Sequence, residues 1–424
     1  MSLRLSATLL LDKVQQGGSL NTLFEKAQTD VDESDRAFFK ELVYGSLRLW
    51  PMYKGITRQL LEKPLKSKDS ALEALLILAL YELDECATPP YASVSAAVEV
   101  CSELKRPWAA KLINACLRRY QRSREVLLQQ LGDSERAALP GWLYKLLNKY
   151  YPDHLERLAE AGRHKPPLTL RVNSKKSSLD DYLGQLAMAG IEATPAGNYG
   201  VTLLSALPVS QIPQFFDGVV SVQDESAQLT GAVAEISSGL RVLDVCSAPG
   251  SKACHLAELG ADVTAMDISP PRLARVQDNA KRLDLSIDTL VGDGREVANI
   301  VKGEDFDLVL LDVPCSATGV MRRNPDVKVI RLKTDIAQFA ELQNGLLCSA
   351  WHKVRPNGKL LYVTCSLLPA ENEDLVSNFL ALTKNARAIP LPESIGIEKK
   401  VGRQALPSLT GGDGLYYCML QKVA

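Results

Sequence analysis

The sequence predicts a multidomain chain in three parts: an all-α region over residues 1–130, connector helices with a small α+β unit over 131–235, and an α/β region over 236–424. Three observations predict this. Through the first part, apolar residues recur at spacings of three and four, the period of a helix with one buried face. At 166–178, PPLTLRVNSKKSS, the character switches to strand and turn. From 236 onward, short apolar runs alternate with helix-periodic stretches, which implies a mostly parallel sheet with helices on both faces. At 424 residues the chain is longer than one core usually spans.

The first element, MSLRLSATLLLDKVQQGGSL, is Leu-rich but broken by Arg4 and Asp12, so it reads as an amphipathic helix rather than a leader. ALEALLILALYELDEC (71–86) and SVSAAVEVCSELK (93–105) continue the helical pattern, punctuated by Pro89, Pro90 and Pro107. After the helical connector come a helix at 180–190 and a strand pair around 197–205. The last part offers strands at 241–246, 262–267, 287–291, 306–312 and 358–364. Helices are expected at 252–260, 270–283, 335–353 and 370–382, and the tail at 414–423 reads as a late antiparallel strand.

Nine scattered cysteines form no CxxC pair and four histidines form no HxxxH pair, so neither a disulfide framework nor a metal site is expected. Reduced cysteines fit the cytosol, and no apolar run reaches the length of a membrane span, so a cytoplasmic chain is expected. The net charge of −1 does not by itself predict a polyanionic partner. Local charge does. Residues 105–124 carry Lys105, Arg106, Lys111, Arg118, Arg119, Arg122 and Arg124 with no acidic residue, and Trp108 and Tyr120 lie among them. A solvated helix face is the plain alternative; the sharper reading is a nucleic-acid contact surface. Arg171, Arg322 and Arg323 join it as candidate RNA contacts.

The chemistry concentrates in three motifs. RVLDVCSAPGSKACHLAE (241–258) reads as strand, turn and helix. Gly250 with small Ser247 and Ala248 permits close approach of a ligand to the backbone, and the helix that follows presents its N–H groups. The loop lacks both GxGxxG and the P-loop spacing. Asp267 ends the next strand, where doubly wound folds receive ribose hydroxyls, and Asp293 in GDGR follows the third strand. Either aspartate could simply form a turn; their places at successive strand ends favour a ligand role. Cys315 in LLDVPCSATG (310–319) and Cys365 in LLYVTCS (360–366) each follow a buried strand. A free cysteine ordinarily serves as a small buried hydrophobe. Here Asp312, Pro314, Thr364 and Ser366 flank them at strand ends, which points to a nucleophilic transferase with a bound nucleotide cofactor.

The cofactor motifs resemble the S-adenosylmethionine-dependent methyltransferase fold, Rossmann-like and class I. With DVPCSATG, TCS, GVMRRNPDVKVIR (319–331) and VQDESAQL (222–229), the carboxyl half resembles the RNA cytosine-C5 methyltransferases. The helical amino terminus, KLINACLRRY (111–120) above all, resembles the NusB-like RNA-binding domain of one bacterial branch. The resemblance implies S-adenosylmethionine as cofactor, held by Cys246, Ser247, Ala248, Pro249, Gly250, Ser251, Lys252, Asp267, Asp293 and Asp312. It implies an RRM-like middle unit that positions RNA. It also implies as substrate a cytosine in a single-stranded loop of 16S rRNA, at the site numbered 967. The family's usual loop reads AAPGGK; here Ser247 and Ser251 stand in it, and both are small enough that no loss of binding is expected.

By the same resemblance Cys365 is the nucleophile, Cys315 assists proton removal and enzyme release, Asp312 bonds the base edge, and Lys252 positions the substrate. The residue types suit the task. Cytosine carbon 5 attacks a methyl sulfonium only after a thiolate has added to carbon 6. Two alternatives compete. A DNA cytosine-C5 methyltransferase would use the PC cysteine as nucleophile, against which the TCS cysteine and the basic helical region both argue. A non-catalytic RNA-binding assembly factor need not keep Cys315, Cys365, Asp312 and Lys252 together. A monomer without metal is expected.

Overall fold

The computed structural model describes residues 2–303 and 305–423, and the chain folds as two units. The first holds the residues through Lys165 together with Met321–Lys333. Its central helix, Ser70–Glu85, is apolar on nearly every face and is buried on nearly every face, from Leu72 through Glu82. Helices Leu3–Gln15, Arg36–Arg48, Trp50–Leu60, Pro90–Glu103 and Ala109–Gln129 contribute to the same core. Glu82 is tolerated there because Arg4 reaches it with Nε at 2.9 Å and Nη2 at 2.5 Å.

Helical packing does not stop at residue 130. Gly55 lets Glu135 approach the helix Trp50–Leu60, where Arg58 pairs with it, and helices Gly141–Tyr150 and Leu155–Arg163 complete the unit. Nor was Met321–Lys333 expected here. Asp326 accepts from the Leu20 amide at 3.0 Å, Arg48 Nε donates to the Arg322 carbonyl at 2.9 Å, and Lys328 Nζ donates to the carbonyls of Arg48 and Gly162, both at 2.8 Å. Burial, followed by the charges of Arg48 and Arg163, pushes the Lys328 ammonium down to about 7.

The second unit begins with a four-stranded antiparallel sheet: β1 (Leu168–Val172), β2 (Ala193–Ala196), β3 (Gly200–Leu203) and β4 (Val220–Val222), in the order β2–β3–β1–β4. Helix Leu179–Met188, capped by Ser178, covers it through Tyr182 and Leu186. This is the small α+β unit that the sequence predicts.

A nine-stranded sheet follows. Its strands are β5 (Arg241–Val245), β6 (Asp262–Asp267), β7 (Ile287–Val291), β8 (Phe306–Asp312), β9 (Val354–Thr364), β10 (Ala386–Ile389), β11 (Ile397–Glu398), β12 (Arg403–Gln404) and β13 (Tyr416–Lys422). The order is β11–β12–β13–β9–β8–β5–β6–β7, with β10 also on β13. From β7 to β9 the pairs are parallel, and β13 runs antiparallel to β9. The central strands are apolar runs because helices cover both faces. The chain leaves β5 toward β6 and β7, then returns to β8 and β9 on its other side. That reversal opens a crevice beyond the carboxyl ends of β5 and its neighbours, where ligands bind in open α/β sheets. Among the described residues, no helix is long and apolar enough to cross a membrane.

Candidate active site

A cleft of about 480 Å³ lies in that crevice. Cys246, Ala248, Asp267, Asp293, Asp312, Cys315 and Cys365 all line it, so residues from the ends of five strands meet there. Ser247, Pro249, Gly250 and Ser251 shape the loop beneath. Two residues of the loop take positive φ, Cys246 at 66° and Gly250 at 92°. At Gly250 a Cβ would stand 2.8 Å from the Val276 side chain, so only glycine lets the loop lie this close to helix Pro270–Leu283. Helix Ser251–Glu258 starts at once, as expected.

The acidic residues differ in setting. Asp267 is 2% exposed and accepts from the Ala248 and Ser269 amides, at 3.2 and 2.9 Å. It therefore forms its turn and faces the cleft as well. Asp293 is held by the Arg295 guanidinium at 2.6 Å, which lowers its carboxyl below the usual range. Asp312 accepts from Lys252 Nζ at 2.5 Å. Burial alone would lower the proton affinity of Lys252, but the Asp312 charge and hydrogen bond reverse this and hold it raised. Asp244, not singled out from sequence, is fully enclosed beneath the loop, and burial pushes its carboxyl up to about 7. Burial likewise pushes the Cys246 thiol up to about 12.

The two thiols meet because their strands do. β8 and β9 are parallel neighbours with Asp312 opposite Val363, so the loops that leave them run side by side. Cys315 Sγ lies 3.2 Å from Cys365 Sγ. The Gly319 amide donates to the Cys365 carbonyl at 2.9 Å, closing one loop onto the other. Cys315 is 7% exposed. Its hydrogen bond to Cys365, then burial, raise its thiol well above the ordinary value, and the Glu371 charge adds to this. Sequence reading noted Ser366 only as a flanking residue and missed Ser316 and Glu371. The Ser after each Cys, and a Glu five residues beyond the second Ser, were the available signals.

The basic candidates divide. Lys105, Lys111, Arg118 and Arg119 are exposed, as is Trp108. Arg106 is half-buried and spends its charge on Asp69 at 2.7 Å. Tyr120 is no surface aromatic: it is 1% exposed and donates to Asp84 at 2.6 Å. Arg171 must be withdrawn as an RNA contact. It is wholly buried, bonded to both Glu258 oxygens and the Ser251 carbonyl at 2.8 Å and to Gln223. Arg322 is withdrawn too, at 1% exposure. Arg323 beside it is half-buried.

Comparison with known proteins matches three stretches of the chain. Residues 233–421 match the family described as 16S rRNA methyltransferase RsmB/F, residues 1–122 match the NusB family, and residues 139–210 match the ferredoxin-like domain of the RsmF/B-like methyltransferases. A Pseudomonas putida protein named ribosomal RNA small subunit methyltransferase B is 42% identical, covering 100% of this chain and 99% of its own. The Serratia proteamaculans protein of the same name is 40% identical over the same shares. The crystal structure of PH0851 superposes over 100% of this chain and 99% of its own with a TM-score of 0.81 at 22% identity. NSun6 from Pyrococcus horikoshii, solved with SFG, covers 67% of this chain and 98% of its own, with a TM-score of 0.59 at 20% identity. Both likenesses establish the fold.

Proposed function

The chain belongs to the 16S rRNA methyltransferase RsmB/F family, and on that premise we propose that it moves a methyl group from S-adenosylmethionine to carbon 5 of a cytosine in 16S rRNA, at the site numbered 967. The observation that carries this reading is the pair of thiols 3.2 Å apart at a cleft lined by Asp267, Asp293 and Asp312.

The residues of the cleft fit the cofactor. Its volume suits a nucleoside-sized ligand, Gly250 leaves the backbone approachable, and Ile268, 62% exposed, offers an apolar face beside the carboxylates of Asp267 and Asp293. Asp267 would take the ribose hydroxyls and Asp293 the adenine amino group. When bound, S-adenosylmethionine supplies an electrophilic methyl group.

The protein's own groups do the rest. The target base leaves its stack to reach the cleft, which favours a single-stranded loop. Cys365 Sγ adds to carbon 6, and the electron pair displaced toward carbon 5 makes that carbon the nucleophile. Asp312, oriented by Lys252 at 2.5 Å, bonds the ring edge and favours protonation of the ring nitrogen during attack. Methylation leaves a proton on carbon 5. Cys315, its Sγ 3.2 Å from that of Cys365, serves its removal: having given up its own proton to solvent, its thiolate takes the proton from carbon 5 and becomes a thiol again. The C6–S bond then breaks and the aromatic ring returns.

The test compares wild type, Cys365→Ala and Cys315→Ala on small-subunit rRNA with labelled S-adenosylmethionine. Cys365→Ala should abolish transfer. Cys315→Ala should accumulate a covalent protein–RNA adduct. Loss of all adduct in Cys315→Ala would make Cys315 the nucleophile instead, and no transfer by wild type would overturn the reading.

A further inference from the structure

Five residues beyond Ser366, the chain buries a carboxylate, Glu371, at 0% exposure. A buried carboxylate is costly unless its lone pairs are filled, and these are. Oε1 accepts from the Ser316 amide at 2.8 Å and from Gln343 Nε2 at 3.1 Å. Oε2 accepts from the Ser316 and Ser366 hydroxyls, both at 2.5 Å. Ser316 follows Cys315 and Ser366 follows Cys365, so one side chain receives the residue after each thiol. The assembly around it is closed. The serine hydroxyls lie 3.1 Å apart, Thr318 Oγ1 accepts from the Leu367 amide at 2.9 Å, and Gln343 Nε2 also reaches the Pro314 carbonyl at 3.0 Å. Tyr362 donates to the Glu371 carbonyl at 2.8 Å, holding the acid's own backbone.

We propose that Glu371 is a positioning residue of the transfer reaction: its carboxylate ties the loop of Cys315 to the loop of Cys365 and so fixes the separation of the two sulfurs. Glu371 does not line the cleft and touches neither sulfur by hydrogen bond. It acts through Ser316 and Ser366. The Gly319 amide ties the two loops at one point, and Glu371 adds a tie at the residue after each thiol; in a two-thiol mechanism an ångström of misplacement costs about a hundredfold in rate. Its charge also faces Cys315 and raises the proton affinity of that thiol. The inference rests on the two-thiol reading above for its catalytic consequence, and on geometry alone for the clamp.

The experiment uses Glu371→Gln in the full chain, with Ser366→Ala as a second variant in case the first does not fold. Gln cannot accept from all four donors and carries no charge. Three readouts are taken. In methyl transfer to small-subunit rRNA, kcat should fall about tenfold or more while both KM values stay within about twofold. The pH midpoint for alkylation of Cys315, followed by peptide mass spectrometry, should move down, because a neighbouring negative charge is gone. Diamide should close Cys315 to Cys365 more slowly than in wild type, as two protons and two electrons leave the thiols and the diamide is reduced to the hydrazine. A merely structural acid would lower the unfolding midpoint and leave the alkylation midpoint and the closure rate unchanged. A folded Glu371→Gln with wild-type kcat and closure rate overturns the proposal. If wild type transfers no methyl group, the functional reading fails, and the closure and alkylation arms still decide whether Glu371 sets the geometry.

Discussion

Asp244 lies where water cannot reach, one residue before the end of β5 and beneath the loop that bends at Cys246 and Gly250. Desolvation lifts its carboxyl from 3.8 to about 7, with Asp312 and Asp267 adding to the lift and Ser247 and Lys252 opposing it. Between those two values the folded chain keeps a proton that the unfolded chain has released. Folding stability therefore falls as pH rises across the window, by about 1.4 kcal/mol per pH unit for a fully expressed shift. Asp244→Asn removes this dependence. Urea unfolding across the window should show the variant gaining on wild type as pH rises, by up to about 4 kcal/mol in all. A difference that stays flat with pH would mean that Asp244 is charged in the folded chain. Residues of this kind were not legible in the sequence. Asp244 reads as one more aspartate in a motif, and Glu371 as one of three acids in PAENED, because what distinguishes them is enclosure by other segments. Cys315, Cys365, Asp267 and Asp312 were legible because a strand end is a local feature, visible as an apolar run that stops.

Elements decide what a charge is for. Arg171 stands on β1 in a stretch that reads as strand and turn, yet it spans to Glu258 at the far end of helix Ser251–Glu258 and to the Ser251 carbonyl at its start. It thereby fastens the four-stranded sheet to the helix that follows the loop of Cys246 and Gly250. Its partner lies 87 residues away, so no spacing in the sequence announces the pair. Arg171→Met leaves the Glu258 carboxylate buried and unpaired, and breaking a buried pair in this way costs about 3–5 kcal/mol. Denaturant unfolding should show that loss, while the salt dependence of RNA binding stays as in wild type. A changed salt slope with unchanged stability would return Arg171 to the RNA surface. The strands of the nine-stranded sheet from β5 to β9, and β13, were legible as apolar runs. β10, β11 and β12 were not: they are two to four residues long and owe their existence to hydrogen bonds on the edge of β13 or on one another. No period can be read from two residues.

The whole chain carries a net charge of −1, so RNA affinity must come from where its positive charges gather. Helix Ala109–Gln129 separates the possibilities by its own faces. Ile113, Cys116, Leu117 and Tyr120 are buried, which turns Lys111, Arg118 and Arg119 outward, where Arg118 donates to Gln121 Oε1 at 3.4 Å. Arg124 on the same helix is already committed to Asp84 at 2.8 Å, as Arg106 is to Asp69. Side chains already paired release few counterions on meeting phosphate; exposed ones release about 0.7–0.9 each. Replacing Lys111, Arg118 and Arg119 together by Ala should therefore reduce the slope of log affinity against log salt by about two, with little change in unfolding free energy because all three are solvated. Lys328→Met is the contrasting substitution. It lies in the segment that the helical unit takes from the α/β part of the sequence, and it leaves the Arg48 and Gly162 carbonyls without their donor. It should cost about 1–3 kcal/mol of stability and leave the slope alone. Filter binding to small-subunit rRNA over a range of salt, run beside urea unfolding, separates the two effects. If the triple Ala variant keeps the wild-type slope, helix Ala109–Gln129 does not meet phosphate, and its basic face is only solvated.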